Sequence, residues 1–88
     1  MAKRKRDWPP WWDWELDVSD HTYENMPVRG FTEVDLRRMM EQATDYSPDI
    51  EEGRWRIETR FRGQLWEVIV EPVPEKQLLL VVTAYDVN

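Results

Sequence analysis

Four kinds of side chain in this sequence could carry chemistry: one histidine, an alternating run of arginines, a late tyrosine and two glutamates. His21 is the only side chain whose ordinary pKa lies near neutrality, so it is the candidate for moving a proton. Arg29, Arg56 and Arg60 are candidates for holding an oxyanion, because a guanidinium presents two donors in a planar fork. Arg54 and Arg62 extend the same basic stripe. Tyr85 is either a proton donor or a residue that closes the core. Glu58 and Glu67 are either a general acid and base or two repelling carboxylates that neighbouring arginines neutralise. His21 on a plain surface and arginines that only compensate charge are the readings against which any site must be weighed.

Other chemistries are excluded early. The chain has no cysteine, so disulfides and thiolate metal sites are impossible. One histidine and no recognisable carboxylate spacing argue against a metal centre, and no cofactor is expected. The 88 residues support a single domain with one small core. Charge is uneven. Of 12 basic residues four lie at 3 to 6, leaving 8 against 18 acidic ones, a balance of −10 for the rest. Such a body repels phosphate backbones at long range, so only a local arginine cluster could favour RNA. The basic start runs into Asp7-Trp8-Pro9-Pro10 instead of an apolar stretch, and nothing approaches the ~20 apolar residues of a membrane span. The expectation is a cytoplasmic protein with no membrane partner.

The elements that must position these residues are short. Residues 1 to 11 read as a basic, Trp- and Pro-rich arm, extended or polyproline-like, ahead of a domain spanning 12 to 88. Trp12, Trp14, Leu16 and Val18 alternate with acids, which predicts a half-buried strand. Ser19 suits an N-cap, with Asp20 in the first turn of a helix that kinks or ends near Pro27 and exits at Arg29-Gly30. Thr32 and Asp35 have capping-box spacing, and Leu36, Met39, Met40 and Ala43 share one face of a second helix. Tyr46-Ser47-Pro48-Asp49 ends the helical region. A hairpin turning at Arg62-Gly63 sets Thr59 opposite Trp66, Ile57 opposite Val68 and Trp55 opposite Val70. Its second face pairs Arg60 with Leu65, Glu58 with Glu67, Arg56 with Ile69 and Arg54 with Glu71. Leu78 to Val82 form an unbroken apolar run, expected of a strand buried on both faces. The order is an N-terminal strand, two helices and a three-stranded antiparallel meander, a single sheet packed on the helices. That is an α+β fold.

His21, Met26, Arg29, Gly30 and Phe31 resemble the H-x-x-x-R-M-x-x-R-G-[IF] stretch of small bacterial proteins in the domain of unknown function 4258 family. Thr32 to Leu36, Gly53-Arg54-Trp55, the Arg62-Gly63 turn and Val81 to Tyr85 are similar to that family's second helix and sheet. The resemblance spans about residues 14 to 86. Asn25 stands where the family has arginine, and Pro27 falls inside the motif. Such domains look like relatives of the BrnT and RelE group of toxin ribonucleases.

The resemblance implies a RelE-like fold, RNA as substrate and an antitoxin as partner. Metal-independent RNA cleavage needs a base, cationic support for the phosphate and an acid. On that reading His21, Arg29, Arg60 and Tyr85 are the catalytic set, and Arg54, Arg56 and Arg62 bind RNA. It requires His21 and the arginine face of the hairpin to look into one hollow. The alternative is a non-catalytic interaction module, as a homodimer or with a partner, motivated by Asn25, the acidic body and the tryptophan arm. Trp8, Trp11, Trp12 and Trp14 would then be interface anchors.

Overall fold

Strict alternation of apolar and polar residues fixes the centre of the molecule. In the computed structural model, which describes residues 8 to 87, Trp55–Phe61 (β3) and Gln64–Val73 (β4) form an antiparallel hairpin. Their register is the one the alternation predicts, with Thr59 opposite Trp66 and Ile57 opposite Val68. Arg62 and Gly63 take the turn at φ of 55° and 77°, the left-handed pair a two-residue hairpin needs.

The sheet is larger than expected. It has five strands in the order β1-β5-β4-β3-β2, where β1 is Glu15–Val18, β2 is Asp45–Pro48 and β5 is Leu78–Asp86. Strand β1 runs parallel to β5, and the other pairs are antiparallel, so the sheet is mixed. Tyr46 to Pro48, read from the sequence only as the end of the helical region, belongs to β2, which pairs along β3 from Asp45 opposite Glu58 to Pro48 opposite Trp55. Its Asp-Tyr-Ser-Pro sequence lacks a strand pattern because an edge strand of four residues is held by backbone pairing on one side only.

The N-terminal strand starts at Glu15 instead of Trp12. Pro10–Asp13 is a turn of 3-10 helix, with Pro at its first position, where the ring's fixed φ suits helical geometry. The arm is therefore folded over rather than extended from residue 8 onward, and residues 1 to 7, with the basic tip at 3 to 6, lie outside the described residues.

Two helices cover one side of the sheet. Asp20–Arg29 (α1) is capped by the Ser19 hydroxyl, which accepts from the Thr22 amide, and it continues through Pro27 to a left-handed Gly30. Glu33–Glu41 (α2) begins with a complete capping box between Thr32 and Asp35. Helix α1 packs on β5 and α2 on β3. Leu36, Met39, Ile57, Val68, Val70, Leu79 and Val81 are fully buried between the layers. Two hydroxyls are buried with them, each satisfied by a carbonyl: Thr22 donates to Val81 O and Thr59 to Met39 O.

The 78–82 run is buried on one face only. Leu79 and Val81 face the core, whereas Leu78, Leu80 and Val82 are half-buried. A bulge between Ile69 and Val70 shifts the β4–β5 register within this stretch. No helix among the described residues is long and apolar enough to cross a membrane.

Candidate functional site

Sheet parity decides where the arginines go. Ile57 and Thr59 are buried beneath α2, so Arg56, Glu58 and Arg60 must project from the opposite face. Arg54 projects there as well, opposite Glu71 of β4. On this helix-free face Arg54 Nε lies 3.2 Å from Glu71 Oε1, and Arg56 Nη2 lies 3.8 Å from Asp49 Oδ1. Arg60 is exposed with no ion pair among the described residues. Tyr85 points the same way, because it is the cross-strand partner of Glu67, and its hydroxyl donates to Glu67 Oε1 at 2.8 Å. Burial first, and this bond to a carboxylate second, push the Tyr85 phenol above its ordinary pKa and make it a weaker acid.

His21 lies on the other side of the molecule. Thr22 and Met26 turn the inner face of α1 to the core, and His21 is exposed on its outer surface. Its neighbour is Asn25, whose Nδ2 donates to His21 O at 2.8 Å and stands 3.4 Å from His21 Nε2. No arginine or carboxylate bonds the ring among the described residues.

Arg29 and Arg62 form a third location. Arg29 reaches from the last turn of α1 past the end of β1, where β5 is paired with β4 on one side only. There its Nη1 donates to Ala84 O at 2.8 Å and to Thr83 Oγ1 at 3.1 Å. Arg62 crosses from the hairpin turn, donating from Nη1 to Gly30 O at 3.2 Å while its guanidinium sits 4.5 Å over the Phe61 ring. Together they line a cavity of about 440 Å³ at this end of the sheet, with Phe61, Gln64, Trp66 and Asp86. Sequence reasoning missed this cavity. Its signal was the pair of left-handed positions, Gly30 and Arg62-Gly63, which end two elements side by side.

The expected catalytic set is thus divided: His21 on the outer helix surface, Arg29 at the end cavity, Arg60 and Tyr85 on the helix-free face. The expected RNA-binding set divides too, with Arg54 and Arg56 on that face and Arg62 at the cavity. The common hollow for the imidazole and the hairpin arginines is not formed, because the sheet and its core lie between them. Among the described residues no group of three or more metal-ligating side chains converges.

The tryptophans mostly pack at home. Trp8 and Trp12 rings stand 4.3 Å apart, Trp8 and Tyr46 5.3 Å, and Trp11 and Trp55 5.7 Å, so the arm closes over the β2–β3 edge. Trp11 is 9% exposed. Trp12 and Trp14 also flank a shallow groove of about 330 Å³ with Leu16, Arg37 and Met40. No protein-family model, curated protein or solved structure matches this chain.

Proposed function

We propose that this chain is a non-catalytic protein-binding domain that engages its partner through the helix-free face of the sheet. The observation that carries this reading is the composition of that face. On β4 a buried Ile69 and a half-exposed Leu65, and on β5 the half-exposed Leu78 and Leu80, stand where a sheet open to water alone would alternate to polar residues. Glu67 and Glu71 flank Ile69 along β4. Arg56 and Arg60 on β3, with Arg54 just before that strand, lie on one side of these residues, and Glu15 and Asp17 on β1 lie on the other. Apolar side chains interspersed with charged ones suit a non-obligate protein interface, which as a whole is only about as apolar as the rest of the surface. The ion pairs Arg54–Glu71 and Arg56–Asp49 hold these charged side chains in place beforehand, which lowers the entropy lost on docking. The partner is a second copy or another polypeptide, an antitoxin-like protein among them.

Kinship with the RelE-like group belongs to the same proposal. It is supported by the motif from His21 to Phe31 and by an α+β chain with both helices on one side of its sheet. The competing proposal is a ribonuclease acting on RNA. It needs the imidazole and at least two guanidiniums within reach of one phosphate, a separation these positions do not offer.

The binding reading is tested with a photo-crosslinking amino acid placed at Leu80 and, in a second variant, at Val34, which is 62% exposed on α2. Expressed in cells, the Leu80 variant is expected to give one discrete protein adduct and the Val34 variant none. Equal, diffuse labelling from both positions would overturn the reading.

A further inference from the structure

We propose that the end cavity is a binding site for a carboxylate carried on an apolar or aromatic body. This goes beyond the protein-binding reading and does not depend on it. The anchor is Arg29. Both of its bonds to the protein, to Ala84 O and Thr83 Oγ1, are made by Nη1. The Nε–H and Nη2–H edge has no acceptor among the described residues. That edge is the side-on fork whose two parallel donors match the two oxygens of a carboxylate. Because Nη1 already fixes the guanidinium, little further rotamer freedom is lost when a ligand binds.

The surroundings select the rest of the ligand. Arg62 adds a second positive charge, held by Gly30 O and the Phe61 ring, although Asp35 Oδ2 at 3.8 Å from its Nη2 shares it. Phe61 and Trp66 meet edge to face at 5.5 Å and give the cavity an aromatic wall. Gln64 supplies an amide at the rim, and Asp86 is the one carboxylate among the lining residues. With Asp35 on Arg62 and Asp86 on the lining, two guanidiniums stand against two carboxylates, so the attraction for an anion comes from the unused edge of Arg29 and not from a net positive charge. Asp86 limits how much negative charge is tolerated, which favours a monoanion over a phosphate dianion. At about 440 Å³ the cavity lies within the roughly 300–1,000 Å³ of small-ligand sites.

The test is an NMR titration of the isotope-labelled chain with phenylacetate, its neutral isostere phenylacetamide and inorganic phosphate. Phenylacetate is expected to shift the Trp66 indole and the Gly30 and Gln64 amides in a saturable way. Phenylacetamide should leave them in place, and phosphate should bind more weakly than phenylacetate. Arg29→Lys keeps the charge and loses the fork, so its dissociation constant should rise by about tenfold or more. Asp86→Asn, on an exposed side chain, should lower it several-fold and keeps the proposal testable if the Arg29 variant does not fold. Shifts that fail to saturate by roughly 20 mM, that phenylacetamide reproduces, or that ignore Asp86→Asn would overturn the site. Phosphate binding as tightly as phenylacetate would do so too.

Discussion

Single side chains in this molecule are mostly committed to holding the fold. Thr59 is fully buried and gives its hydroxyl proton to Met39 O in the last turn of α2. That carbonyl also accepts from the Gln42 amide at 3.2 Å, so the isosteric valine removes one of its two bonds. Thr59→Val should cost about 0.5–1.5 kcal/mol in urea unfolding, whereas no measurable change would mean that the Gln42 amide alone satisfies the carbonyl. Tyr85 makes a pH-dependent contribution. Its phenol is raised above the ordinary value of 10.0, so the folded chain keeps a proton that the unfolded chain releases first. The stability this supplies is complete below about pH 10 and is lost as pH rises through the folded pKa. Between about pH 9 and 12 the urea midpoint of the parent chain should therefore fall more steeply than that of Tyr85→Phe. Identical slopes would show that neither burial nor the bond to Glu67 raises the Tyr85 phenol in the folded chain. Tyr23, raised by its bond to Glu33, contributes the same sign in both chains and cancels in the comparison.

At the scale of elements, what could be read in advance was whatever local pattern alone decides. The β3–β4 register follows from alternation and a two-residue turn, and the start of α2 from Thr32 and Asp35. Strand β2 was illegible because Asp45–Pro48 holds one apolar side chain, Tyr46, and owes its strand form to β3 and to the rings packed on it. The reverse error occurred at Trp12 and Trp14. Their alternation with acids mimics a strand, but two prolines before them favour a helical turn, and aromatic packing across space settles it. Trp11 is the centre of that packing, touching Trp12, Tyr46 and Trp55. Trp11→Ala should cost about 3–5 kcal/mol and release β2 first, seen as loss of amide protection at Tyr46 ahead of Val68. A loss confined to the 3-10 turn, with β2 protection unchanged, would contradict this placement.

At the scale of the whole molecule, strand parity separates the chemistry. The period of two that sends Ile57 and Thr59 toward the helices sends Arg54, Arg56 and Arg60 away from them. A histidine on the outer surface of α1 therefore cannot meet those arginines, whatever the loops do. Parity was already legible in the sequence. What was not legible is that Arg29 ends up tying α1 to the stretch of β5 that β1 leaves uncovered, because a motif records residue types and not where a neighbouring strand stops. The acidic body adds to this, since a net charge of −6 disfavours RNA outside a concentrated basic patch. Binding without hydrolysis is the function we propose, and an RNA-cleavage assay tests it most directly. Purified chain incubated with RNA at neutral pH should leave it intact, indistinguishable from His21→Ala and Arg60→Ala. Cleavage by the parent chain that both substitutions abolish would contradict it.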